Sequence, residues 1–204
     1  MIPLWKEVEF YKDYQKKLKA SFGHEKAKEI IRESLYLVSI GTNDFLENYY
    51  TQLERRMEYK TVQEYEDFLI VLAENFLREI YDLGARKISL TGLPPMGCLP
   101  LERAINIMGL HSCVNYYNDV ASEFNAKLGC LVSKLNKDLH GFQLVDANAY
   151  DLILQIVAQP SQFGKLVFVF PSYYITFDLL IIFYMYDVND FSLIFLLISF
   201  IITI

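Results

Sequence analysis

The chain has 204 residues, 53% hydrophobic and 22% charged, a composition that excludes a disordered acidic or basic polymer. Nineteen basic against 25 acidic residues leave a formal charge of −6, which argues against nucleic-acid binding and its clustered basic surface. The three cysteines, Cys98, Cys113 and Cys130, are too few for a disulfide-dense mini-domain and contain no CxxC pair for a zinc ribbon.

The chain opens with a charged amphipathic run. Leu4, Val8, Tyr11, Tyr14 and Leu18 recur every three or four residues and predict a helix from Leu4 to Phe22. That run has no apolar core of a signal peptide, so the reading is a cytosolic protein or a true N-terminus lying upstream. A short helix is expected over His24–Glu33. Ser34–Ile40 is then a continuous apolar run ending at Gly41, which predicts a strand buried on both faces. Thr61-x-x-Glu64 forms a capping box that opens a helix with Phe68, Leu69, Leu72, Phe76, Ile80 and Leu83 on one stripe, stopping at Gly84. Arg86–Leu90 is a second short strand, broken by Gly92 and Pro94-Pro95. A long helix runs from about Ser112 to Leu139, where Cys130 is expected as a small buried thiol. Phe142–Asp146 is a third strand, followed by a helix over Ala147–Gln159. Strands alternating with long helices predict a parallel sheet with helices on its faces.

Composition divides the chain into two parts, residues 1–164 and 165–204. The last 40 residues hold 7 Phe, 8 Ile, 6 Leu and 4 Tyr, with Lys165, Asp178, Asp187 and Asp190 as their charges. Leu166–Tyr186 is long enough to span a bilayer but contains Pro171 and Asp178, while Phe191–Ile204 is uninterrupted and only 14 residues long. The tail therefore reads as a possible membrane segment, as translated AT-rich non-coding sequence, or as a packed element. It is expected to be foreign to the fold.

In parallel sheets, ligands bind beyond the carboxyl ends of the strands. Gly41-Thr42-Asn43-Asp44 sits there, as does Thr91-Gly92-Leu93-Pro94. A glycine at the strand end lets the backbone approach a ligand, and Asn43 can aim its amide N–H₂ into the cleft. The same residues can instead form a turn in which Asn and Asp cap their own backbone. Cys98 and Cys113 bracket a loop and can pair if the protein is secreted. Tyr49-Tyr50 reads as packing over a loop, and Asp146 as a structural carboxylate at a strand end.

Four blocks, SLYLVSIGTNDFLENYY, GARKISLTGLPPMGCLPLERA, CVNYYNDVASEFNAKLGCLVSKLNKDL and FQLVDANAYDLI, are similar in order and spacing to the plant-type GDSL esterase/lipases of the SGNH hydrolase superfamily. The resemblance covers Met1 to Gly164. It implies an incomplete three-layer, flavodoxin-like α/β fold with a parallel sheet and helices on both faces. It also implies carboxylic-ester hydrolysis without a cofactor or metal, an ester or lipid substrate, and an extracellular setting. Asn43 takes the role of oxyanion donor and Gly41 shapes its loop. The rest of the catalytic set is missing. No Gly-Asp-Ser tripeptide supplies a nucleophile, and G-x-S-x-G is absent. His24, His111 and His140 follow Ser21, Met108 and Lys137 at three positions, so none completes a DxxH block. The resemblance thus implies an ester-hydrolase lineage in a chain without its activated nucleophile, the alternative being a non-catalytic or membrane-tethered protein. A chain lacking the family's first strand is expected to leave a sheet edge or face exposed beside Ser34–Ile40.

Overall fold

The computed structural model describes residues 2–163 and 196–199. In chain order it has α1 (Leu4–Phe22), α2 (His24–Glu33), β1 (Leu35–Ser39), a π-helix (Asp44–Tyr49), α3 (Leu53–Glu58), α4 (Val62–Asp82) and β2 (Lys87–Thr91). A 3₁₀ turn (Met96–Cys98), α5 (Pro100–Ile105), α6 (Asn115–Asp138), β3 (Gln143–Asp146), α7 (Tyr150–Ala158), a second 3₁₀ turn (Pro160–Phe163) and β4 (Leu196–Ser199) follow.

The sheet is parallel, in the order β3-β2-β1-β4. Tyr36 aligns with Ile88 and Ile88 with Leu144, while Val38 aligns with Leu90, and all five are buried. These residues form one core with Val8 and Tyr11 of α1, Leu69, Phe76 and Ile80 of α4, and Phe124, Leu128 and Leu135 of α6. The intervening residues of β1 and β2 are only half-buried. The expectation of a strand buried on both faces is therefore corrected. One face lies under α1, α4 and α6, and among the described residues the other is only partly covered. The described residues thus form an α/β sheet with an incomplete second helical layer.

The edge beside β1 differs from expectation too. Leu196–Ser199 pairs with it in parallel, from Tyr36↔Leu196 to Ser39↔Ser199. The pairing occupies backbone donors and acceptors that an open edge would present to solvent. The remaining expectations for the tail, including a membrane segment at 166–204, fall on residues 165–195 and 200–204, outside the described residues; of the tail expected to be foreign to the fold, the four described residues join the sheet. Among the described residues no helix is long and apolar enough to cross a membrane.

Local chemistry explains the element ends. Glu64 N–H donates to Thr61 Oγ1 at 3.1 Å, while the Glu64 carboxylate accepts from Lys60 N–H at 2.9 Å rather than from Thr61. Gly84, with φ +107°, ends the α4 turn. Two asparagines of α6 clip the backbone of β3 and of the loop after β2. Asn136 accepts from Leu144 N–H at 2.9 Å and donates to its carbonyl at 2.6 Å. Asn125 does the same for Leu93, at 2.7 and 2.8 Å. Cys130 is exposed, which corrects the expectation of a buried thiol: the inward stripe of α6 passes through Leu128 and Leu131.

Candidate functional site

The backbone leaving β1 turns at Gly41, whose φ of +105° lies in the left-handed region. A Cβ there would come within 2.9 Å of Leu93 Cδ2 and 3.2 Å of Phe124 Cε1. The loop after β1 thus packs directly on the loop after β2. Asn125 fixes the position of Leu93 by its two backbone bonds, so a residue of α6 sets the wall against which Gly41 rests. Sequence reasoning missed Asn125. Its signal was a polar residue beside the apolar Phe124 and Leu128 stripe.

Asn43 follows at the mouth, half-buried, with helical backbone angles (φ −73°, ψ −27°) and no side-chain cap bond. Among the described residues no hydrogen bond engages its side-chain amide, so the amide is not consumed in an Asn turn. Its two N–H groups remain available as donors.

Asn43 leads into the π-helix, where Tyr50 N–H donates to Phe45 C=O at 2.9 Å across five residues. Wide turns of this kind are frequent at functional sites. Here the turn is held by aromatic packing. Phe45 meets Phe124 at 5.3 Å and Tyr65 at 5.8 Å between ring centroids. Tyr49 stacks on Tyr65 at 5.0 Å, and Tyr50 lies 4.6 Å from Tyr117. The tyrosine pair packs over the loop, as expected from the sequence.

Asp44 is the unusual member of this turn. It is 1% exposed, and among the described residues neither carboxylate oxygen has a hydrogen-bond partner. Burial pushes its pKa up to about 8; its own backbone N–H, the Asn48 side chain and the Arg55 charge offset only part of this. Burial thus favours the protonated acid at Asp44 near neutral pH. Nothing in the sequence distinguished it from a solvated turn residue.

The second loop is fastened by a disulfide between Cys98 and Cys113, with Cα atoms 4.4 Å apart. Gly97 N–H donates to Asn118 Oδ1 at 2.8 Å, and Val114 N–H donates to Gly97 C=O at 2.9 Å. A Cβ at Gly97 would collide with the Val114 backbone, so only glycine fits this crossing.

The remaining titratable candidates are elsewhere. Asp146 is exposed on β3, with β2 between it and β1. His24 and His140 precede β1 and β3, at the amino end of the sheet and opposite Asn43. They line two clefts of ≈ 380 and ≈ 450 Å³ that share Arg32 and Arg86. His111 is exposed, its Nδ1 3.1 Å from the Arg103 carbonyl oxygen. Among the described residues no histidine accompanies Asn43, and no cluster of three His, Cys, Asp or Glu could hold a metal ion.

What the Asn43 loop offers is a side-chain amide donor on a rigid turn at the carboxyl end of a parallel sheet. Residues 6–167 match the family model described as GDSL-like Lipase/Acylhydrolase. Over 164 residues, 80% of the chain, it is 56% identical to the Arabidopsis thaliana protein named GDSL esterase/lipase At2g42990. The GDSL esterases/lipases At4g26790 and At2g04570 of the same plant are 55% and 53% identical over the same length. The matched regions are 47%, 46% and 47% of those relatives, so the chain spans about half the length of the curated relatives it matches. On the agreement of family model, relatives and fold, the chain belongs to the GDSL-like lipase/acylhydrolase family.

Proposed function

We propose that this chain carries the oxyanion-binding part of a carboxylic-ester hydrolase, with Asn43 as the side-chain donor and Gly41 shaping its loop. The observation that carries this reading is the Asn43 amide, held at the carboxyl end of β1 and unengaged by any hydrogen bond among the described residues. In ester hydrolysis a serine oxygen attacks the carbonyl carbon while a histidine takes its proton and an aspartate orients the histidine. As the tetrahedral intermediate forms, negative charge moves onto the former carbonyl oxygen. The Asn43 N–H₂, together with backbone N–H groups, would donate to that oxygen. A donor of this kind is worth about 3–4 kcal/mol of transition-state stabilisation. It acts because Gly41, Leu93 and the π-helix fix its position before the substrate arrives. This chemistry needs no metal or cofactor, and the ester or lipid substrate is proposed at the level of the family.

The 204 residues contain no Gly-Asp-Ser and no DxxH. A non-catalytic binding role is the second reading, favoured by the positions of the three histidines away from Asn43. An extracellular setting is proposed on the Cys98–Cys113 disulfide, since such bonds persist in oxidising compartments.

The experiment is a graft. Residues 1–164 replace the matched segment of At2g42990, and p-nitrophenyl butyrate hydrolysis is measured beside the 204-residue chain alone. The proposal expects turnover from the graft and none from the isolated chain. A folded but inert graft would favour the non-catalytic reading.

A further inference from the structure

The segment between β2 and α6 displays an apolar edge that the ester-hydrolase reading does not use. Leu101, Ile105, Ile107, Met108 and Leu110 are 68%, 62%, 70%, 98% and 88% exposed. All five fall between residues 101 and 110. Single exposed apolar side chains need no explanation, but a concentration of this kind marks an interaction surface.

The segment is not a loose loop. The Cys98–Cys113 disulfide closes its base. Arg103 Nε donates to the His111 carbonyl at 3.0 Å, and the Arg103 carbonyl oxygen lies 3.1 Å from His111 Nδ1. Asn106 Nδ2 donates to the Ser112 carbonyl at 3.0 Å, and His111 N–H donates to the Asn106 carbonyl at 3.0 Å. Leu110 and His111 hold φ values of 52° and 59°, a region that L side chains rarely adopt. Several backbone polar groups are thus paired inside the segment while its largest apolar side chains are exposed to solvent.

Charge narrows the choice of partner. Between Thr91 and Asp119 the one carboxylate is Glu102, which is 7% exposed, and Arg103 is the one full positive charge. A chain of net charge −6 therefore presents an apolar tip whose exposed charge is cationic. Tyr116, 54% exposed just beyond Cys113, adds an amphipathic ring of the kind enriched where hydrocarbon meets headgroups. A protein partner would have to supply a cavity matching this convex tip, whereas a lipid surface needs no preformed complement.

We propose that residues 101–110 form a peripheral docking tip for lipid–water interfaces bearing anionic headgroups, seated at the same end of the sheet as Asn43. Met108 and Leu110 enter the acyl boundary, Ile107 follows at the rim, and Arg103 meets the phosphates. No spanning segment is required, and the proposal does not depend on ester hydrolysis by this chain.

The test uses the whole 204-residue chain with vesicles of phosphatidylcholine, alone and mixed with phosphatidylglycerol. The chain is expected to co-sediment with the mixed vesicles, and the exposed triple variant Ile107→Ser/Met108→Ser/Leu110→Ser is expected to lose about tenfold or more in partitioning. A Phe22→Ser control, which removes an exposed side chain on α1, is expected to bind as the parent does. Because Trp5 is the sole tryptophan, the double variant Trp5→Phe/Met108→Trp reports from the tip alone, and its indole emission should shift to the blue on mixed vesicles. Equal binding by parent and triple variant would overturn the proposal, as would an unshifted emission from the double variant or no vesicle binding by the parent. Concentration-dependent self-association that the triple variant abolishes, without vesicle binding, would assign the tip to a second copy of this chain and overturn the lipid reading.

Discussion

Replacing Asp44 by asparagine tests the buried turn beside Asn43. Asp44 is 1% exposed and its oxygens have no hydrogen-bond partner among the described residues; burial raises its folded-state pKa from 3.8 to about 8. In the unfolded chain the acid ionises near its ordinary value, whereas the folded state retains the proton. Between the two values the folded state binds more protons, so stability falls as pH rises. The contribution is fully present below about pH 4 and is lost as pH passes through about 8. At pH 7, keeping this proton costs folding on the order of 4 kcal/mol, taking about 1.4 kcal/mol per pH unit above the unfolded value. The amide of the Asp44→Asn variant has the same shape and no titration. Urea unfolding of this variant and the parent, followed by far-UV circular dichroism from pH 4 to 8, should give similar stabilities at pH 4. The variant should then gain progressively, reaching several kcal/mol near pH 7.5. Comparing the two chains at each pH cancels the other buried acids, Glu66 and Glu102, whose pKa values burial also raises. A variant destabilised equally at every pH would refute the reasoning, because it would mean that Asp44 works as an ion partner and not as a neutral acid.

Gly41→Ala places a methyl group at φ +105° against Leu93 and Phe124, and should cost about 1–3 kcal/mol in urea unfolding; an unchanged midpoint would mean that the loop is not packed as described. Asn125→Ala leaves the Leu93 N–H and C=O without partners and should cost about 2–3 kcal/mol, with Leu93 N–H exchange accelerated as the local sign. Cys98→Ser/Cys113→Ser opens a loop of sequence separation 15 and should lower stability by about 3 kcal/mol; a thermal midpoint insensitive to reductant in the parent would contradict that.

Much of this fold is legible from periodicity. Leu4–Phe22 and His24–Glu33 have the bounds that the spacing predicts, and the three strands fall within a residue of the apolar runs. The capping box was readable because Thr61 and Glu64 stand three apart, although the identity of the donor that Glu64 satisfies was not. The π-helix escaped because Asp44–Tyr49 is held by Phe45, Tyr49 and their contacts on α4 and α6, which no local period encodes. β1 was misjudged because an apolar run does not say how many layers cover it, and its burial alternates. Cys130 was misjudged by one helical position. At the site, resemblance singled out Gly41 and Asn43, whose oxyanion role is the proposal made above. Asn125, with its backbone clip on Leu93, and the unbonded carboxylate of Asp44 needed the tertiary structure.

The central claim is that Asn43 stabilises an oxyanion. Its most direct test is the kinetics of Asn43→Ala in the active graft of residues 1–164 into At2g42990, measured as separate kcat and KM values for p-nitrophenyl butyrate. The account predicts a kcat lowered about 10²–10³-fold with KM nearly unchanged, the signature of an interaction made in the transition state. A variant whose kcat equals that of the graft, or whose loss falls entirely on KM, would contradict it.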